Sequence, residues 1–131
     1  MIDFAPPNKI LLHPSGKGGL GVFCKEKILK DEIIEICPLH DLKIDVKKEN
    51  ILLYNYRFNY PKNDPTTYVI TWGYGCLYNH SDTPNADWKK YNNEFAYAFF
   101  ALKDIEPGEE ICIYYGNDNY WQKRSNINKI S

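Results

Sequence analysis

Asn79 and His80 stand side by side in the stretch GYGCLYNHSDTPNADW, Gly73 to Trp88, among the rings of Tyr74, Tyr78 and Trp88. Two chemistries suit the pair. Asn79-His80-Ser81 has the N-x-S spacing of a glycosylation acceptor in a secreted protein. Polar side chains set among aromatics also suit a small-molecule site. An asparagine amide accepts from an ammonium and donates to a carboxylate, which is what holding an amino-acid moiety demands. A lone histidine is more often structural than catalytic, but here Ser81-Asp82-Thr83-Pro84-Asn85 forces a turn directly after it.

Two further constellations carry chemistry. Gly18-Gly19-Leu20-Gly21 lies between two predicted strands. Missing side chains let a ligand lie against bare amides and carbonyls. No helix follows, so this is no phosphate cradle of the helix N-terminal kind; it suits an amino-acid-like or adenine-like group. Near the other end runs PGEEICIYYG, Pro107 to Gly116. Adjacent tyrosines on a strand face opposite ways, so one of Tyr114 and Tyr115 can pack while the other presents its hydroxyl. Glu109-Glu110 reads as a solvated turn before a strand rather than as an acid–base pair.

The elements that must position these residues are short strands. KILL (Lys9 to Leu12) is predicted as the first, and the chain resumes an extended pattern at Val22. IIEICPL is predicted as a strand stopped by Pro38. Residues 40–67 read either as a short helix breaking near Asn59 or as an irregular insert. Tyr68 to Trp72 is rich in β-branched and aromatic residues, and ADWKKY with FAYAFFAL predicts a hairpin across the NNE turn. Ile111 to Tyr115 is the last predicted strand, ended by Gly116, and NDNYWQKR reads as a short closing helix capped by Asn117 or Asp118. The class is mainly β with little helix, and the lack of β–α alternation excludes a dinucleotide-binding domain.

A chain of 131 residues has room for one domain with one core. Its net charge is −1, and its fourteen lysines and two arginines are scattered, which disfavours direct nucleic-acid binding. The start lacks the basic and apolar regions of a signal peptide, and no apolar run reaches membrane-span length. The four cysteines form no C-x-x-C pair, so buried free thiols in a reducing compartment are expected, ahead of disulfides or zinc. An intracellular chain has no use for a glycosylation acceptor, which favours the small-molecule reading of Asn79-His80.

Together, and in this order, GKGGLGVFCKEKI, YNHSDTPNA and IEPGEEICIYYG resemble the SET-domain family of protein lysine methyltransferases. The ending YYGNDNYW is similar to the compact SET proteins of large viruses. The resemblance implies a single SET domain over 1–131, with a core of about 9–116, an insert of about 40–67 and a closing segment 117–131. It implies several small sheets and a pseudoknot-like crossing that brings Tyr115 beside Asn79. The implied cofactor is S-adenosylmethionine, contacted by the backbone of Gly18, Gly19 and Leu20, by Asn79 at its methionyl end, by His80 through its backbone at the adenine, and by Trp121 closing over the adenine.

Tyr115 matches the family's catalytic tyrosine. Tyr56, with Tyr54 as competitor, would line the lysine channel. Ile113 stands where many members carry the Phe or Tyr that sets the number of methyls, which leaves Trp88 or Tyr114 for that part. No Cys-rich zinc segment follows, so no metal is expected. The implied partner is a protein substrate, a histone H3 tail by default, with no direct nucleic acid and no membrane. A domain this small can need a homodimer to complete its groove. The implied location is intracellular: nuclear, own or host, for a histone substrate, and otherwise cytoplasmic. Two rivals are a non-catalytic SET-like binder and an aromatic β module that stacks carbohydrate or single-stranded nucleic acid.

Overall fold

The computed structural model describes residues 6–42, 56–64 and 67–116. Among these residues nine strands run β1 (Ile10–Pro14), β2 (Leu20–Cys24), β3 (Ile33–Asp41), β4 (Phe58–Asn59), β5 (Tyr68–Thr71), β6 (Asn79–His80), β7 (Ala86–Lys90), β8 (Ala96–Ala101) and β9 (Glu110–Ile113). One turn of 3-10 helix, Gly75–Leu77, precedes β6. The strands form two sheets, ordered β1-β2-β9-β6 and β4-β5-β3-β8-β7. Among the described residues no helix is long and apolar enough to cross a membrane.

The hairpin expected around the NNE turn is present as β7 and β8, paired antiparallel from Ala86↔Ala101 to Lys90↔Tyr97. Strand β8 is the spine of the core: Ala96 to Phe99 and Ala101 are all fully buried. Alternation cannot mark a strand covered on both faces, which instead reads as a continuous apolar run. Phe99 stacks on Tyr78 at 4.8 Å and meets Phe58 edge-on at 6.0 Å, so the core reaches directly under β6.

Strand β3 continues through Pro38 to Asp41 rather than stopping there. The proline falls at the last pair of the β3–β8 ladder, Pro38↔Ala96, after which β3 pairs with β5 from Leu39↔Thr71. A residue without an N–H is tolerated where a strand changes partner, and its carbonyl still accepts from the Trp72 N–H at 2.9 Å. Strand β2 starts earlier than expected, at Leu20 inside the glycine stretch, and β9 ends at Ile113 before the two tyrosines. The predicted helix within 40–67 falls largely on 43–55, and the closing helix on 117–124, outside the described residues.

Strand β9 is the keystone. It pairs antiparallel with β2 on one side and parallel with β6 on the other, with Asn79↔Cys112 and His80↔Ile113 in register. A parallel partner of two residues has few ladder bonds; the Ser81 N–H to the Ile113 carbonyl and the Asn85 N–H to the Cys112 carbonyl extend it, and the Asn85 side chain adds two more. Asn85 donates through Nδ2 to the Glu110 carbonyl at 2.9 Å and accepts at Oδ1 from the Cys112 N–H at 2.8 Å. Asn85→Ala removes both bonds and orphans two backbone groups. It is expected to cost about 2 kcal/mol, read as a lowered midpoint in urea unfolding with an unchanged slope.

The four cysteines are unpaired; Cys24, Cys37 and Cys112 are buried and Cys76 is half-buried. Burial pushes the Cys112 thiol up to about 11. Burial likewise raises Cys37 and Cys24. A protonated thiol is a poor nucleophile and a poor metal ligand. Among the described residues, no cluster of His, Cys, Asp and Glu is arranged to hold a metal ion.

Candidate active site

The segment Tyr78-Asn79-His80 joins everything the sequence singled out. Tyr78 is 1% exposed. Its hydroxyl donates to Glu35 Oε1 at 2.6 Å, and Glu35 Oε2 accepts from the Tyr74 N–H at 3.3 Å. Burial raises the Glu35 carboxyl above its ordinary value, and these donated hydrogen bonds pull it part of the way back. Burial, with the Glu35 charge added, raises Tyr78 as well, so its phenol stays a donor. The Tyr78 backbone is thereby held rigid, and its carbonyl accepts from the Tyr115 hydroxyl at 2.6 Å.

His80 is 3% exposed, and its side chain is engaged within the fold. Its Nδ1 accepts from the Tyr115 N–H at 2.9 Å, and Nε2 lies 2.8 Å from Asp82 Oδ1. An N–H pointing at Nδ1 requires that nitrogen to be bare, so the imidazole proton sits on Nε2, facing Asp82. The histidine therefore fastens Tyr115 by its backbone, while Tyr78 fastens it by its hydroxyl. Tyr114 and Tyr115 still diverge although both lie beyond β9: Tyr114 is 45% exposed and Tyr115 is half-buried.

Asn79 faces the glycine loop. Its Nδ2 donates to the Leu20 carbonyl at 3.1 Å and to Glu110 Oε2 at 2.8 Å. Both contacts use the nitrogen, leaving Oδ1 for a donor from outside. The same carboxylate accepts from Ser15 Oγ at 2.9 and 3.0 Å, and Ser15 closes the loop by accepting from the Lys17 N–H. Gly18 and Gly19 sit at φ of 99° and 65°, a region L-residues avoid. A Cβ built on Gly19 would meet nothing within 4 Å, so bare backbone fronts open space there.

Glu110 is a site residue that the sequence reading missed, because acids in a turn before a strand are usually solvated. Its partners lie 31 residues away at Asn79 and 95 away at Ser15, and no local pattern announces them. Glu109, the other member of the pair, is exposed as expected.

On the far side of Tyr115 lies a cleft of about 340 Å³ whose walls include Trp88, Tyr114, Tyr115 and Gly116. Trp88 packs edge-on against Phe58 at 5.1 Å. The structure thus brings together Gly18, Gly19, Leu20, Asn79, His80, Tyr114, Tyr115 and Trp88 around one short strand and its neighbours. Tyr56 is 46% exposed and does not line this cleft. Phe58, two residues on and unflagged by the sequence, fills the aromatic wall behind Trp88. Tyr54 and Trp121 lie outside the described residues.

Comparison with known proteins identifies the family and the fold. The SET domain family matches residues 19–116. A histone-lysine N-methyltransferase of Schizosaccharomyces pombe, specific for H3 lysine-37, is 33% identical over 92% of this chain and 82% of its own. The Mus musculus protein-lysine N-trimethyltransferase SMYD5 is 54% identical, but over 28% of this chain and 9% of its own. A crystal structure of a Plasmodium falciparum protein, named there as a histone methyltransferase, superposes with a TM-score of 0.67 at 37% identity, covering 83% of this chain and 98% of that one. With its glycine loop, its N-H-S strand and its terminal tyrosine gathered around β9, the chain belongs to the SET-domain family.

Proposed function

We propose that this chain is an S-adenosylmethionine-dependent protein lysine N-methyltransferase acting on a histone H3 tail lysine. The observation that carries the proposal is the double anchoring of Tyr115, hydroxyl to the Tyr78 carbonyl and N–H to His80, on the same segment whose Asn79 closes the glycine loop. One rigid strand thereby sets the distance between a ligand held at the loop and the Tyr115 side of the aromatic cleft.

The donor set fits the cofactor. Asn79 Oδ1, the Leu20 carbonyl and the Glu110 carboxylate are acceptors suited to an ammonium beside a sulfonium. The positive-φ glycines leave room for a ligand to lie on the backbone. When bound, S-adenosylmethionine supplies the methyl group.

The chain's own residues do the rest. Asn79 and the Gly18-Gly19-Leu20 backbone hold the amino-acid end, and Glu110 holds Asn79 in its rotamer. The rings of Tyr114 and Tyr115 exclude water from the substrate amine. A free lysine has a pKa of about 10.4, and burial disfavours the ammonium, so a dry aromatic wall favours the neutral, nucleophilic amine. The Tyr115 hydroxyl, fixed by Tyr78, orients that amine; alignment of this kind is a large part of what an enzyme contributes. A histone substrate would place the protein in the nucleus, its own or a host's.

Calorimetric titration with S-adenosylmethionine, paired with transfer of labelled methyl to recombinant H3, tests the proposal. Binding together with transfer is the expected result. Binding without transfer to H3 or to any lysate protein would instead support a non-catalytic SET-like binder.

A further inference from the structure

The cleft beside Tyr115 already holds a lysine of the chain itself. Lys62 Nζ lies 2.7 Å from Asp87 Oδ1 and 3.0 Å from the Trp88 carbonyl, and 4.2 Å from the centre of the Trp88 ring. A carboxylate, a carbonyl and an aromatic face are the three partners that together recognise an organic cation. All of them come from two consecutive residues of β7, while Lys62 comes from the connection between β4 and β5. The same cleft is walled by Tyr114 and Tyr115.

Two details set this apart from an ordinary surface ion pair. The Trp88 ring is fixed from behind by Phe58, so its face is presented rather than adaptable. Its Nε1 is buried without a hydrogen-bond partner among the described residues, so the ring is not held there by its own polar atom. Lys62, by contrast, sits on a long flexible side chain that is 33% exposed and can swing out at small cost.

We propose that Asp87 and Trp88 form a cation subsite for a lysine or arginine side chain of the protein substrate, occupied in the resting state by Lys62. The inference rests on the methyltransferase reading for why a protein segment enters the cleft. It adds a specificity determinant that this reading does not contain. An incoming basic side chain displaces Lys62 and takes over Asp87, the Trp88 carbonyl and the ring face. Lys62 therefore competes with basic substrates, and uncharged neighbours of the target lysine gain nothing at this position.

The test is binding, separate from methyl transfer, because an arginine probe cannot be methylated on lysine. Fluorescence anisotropy of the full chain is measured with a labelled Arg-Gly peptide and with the same peptide carrying citrulline for arginine. Lys62→Ala is expected to bind the arginine peptide roughly 5- to 10-fold more tightly than the wild type, with no change for the citrulline peptide. Lys103→Ala removes the same charge from an exposed site elsewhere, and is expected to behave as wild type. Adding Asp87→Asn to Lys62→Ala is expected to abolish the gain. Equal gains for Lys62→Ala and Lys103→Ala, equal binding of the two peptides, or no binding of either peptide to any variant would each overturn the subsite. None of those outcomes touches the methyltransferase reading, which label transfer decides.

Discussion

Tyr115→Phe is expected to lower methyl transfer by about 100- to 1,000-fold while leaving cofactor affinity nearly unchanged and costing about 1 kcal/mol of stability, the worth of one hydrogen bond. The substitution deletes one oxygen, which donates to the Tyr78 carbonyl at 2.6 Å. The ring remains, as does the backbone bond to His80 at 2.9 Å, so Tyr115 stays in place without its directional group. Removing one preorganised polar group from a catalytic centre typically costs about this much. The loss should fall on kcat, since the glycine loop and Asn79 are untouched. Single-turnover rates with saturating cofactor, alongside calorimetric affinity, separate the two effects. A variant that loses cofactor binding in parallel with rate would mean that Tyr115 is structural. A variant with wild-type rate would remove it from the chemistry.

Gly21→Ala is expected to be the most damaging small change on the cofactor side. A Cβ at this position would lie 2.3 Å from Glu110 Oε2 and 3.0 Å from Asn79 Nδ2. No real Cβ sits so close, so the carboxylate must turn away. It then releases both Asn79 and Ser15, the two contacts that tie the glycine loop to β6 and β9. The carboxylate tip itself turns at little cost, so the loss of stability is that of the released hydrogen bonds, about 1–2 kcal/mol. Lost charge-assisted hydrogen bonds should weaken S-adenosylmethionine binding by roughly 10- to 100-fold. Glu110→Gln separates the causes. It keeps the shape and an acceptor for Asn79, and is expected to weaken binding less than Gly21→Ala does. Thermal-shift titrations of the two variants measure this directly, and equal affinity for wild type and Gly21→Ala would refute the role given to the Glu110 bridge.

Where chemistry is carried by motif, the sequence was legible. Asn79 and His80 stood out by residue type and setting, Tyr115 through the resemblance to the SET family, and β6 with the end of β9 brings them together despite their separation along the chain. The β7–β8 hairpin was legible because aromatic residues on both sides flank a turn. What failed to show was non-local. Glu35 lies in the apolar run IIEIC, where a single acid reads as an outward-facing residue. It is 6% exposed because a hydroxyl from residue 78 compensates its burial. Asn85 looked like part of a turn, yet it clamps β9 from 27 residues away. Pro38 looked like a strand terminator, and it marks instead the point where β3 exchanges one partner for another.

The Lys62 contact belongs with these. Lys62 was part of a loop by composition, and only the fold sets it over Trp88. Phe58 was likewise invisible as a wall residue. A two-residue strand offers no period to read, and its role comes from β5, its pairing partner, and from the rings of Trp88 and Phe99.

The most direct measurement of the central claim is peptide-resolved mass spectrometry of histone H3 after incubation with the full chain and S-adenosylmethionine. The account predicts a methyl mass increment confined to a lysine of the H3 tail, absent without cofactor and, at matched early times, about 100- to 1,000-fold lower with Tyr115→Phe. Unmodified lysines after prolonged incubation with a folded, cofactor-bound protein, or an increment that grows at the wild-type rate in Tyr115→Phe, would contradict it.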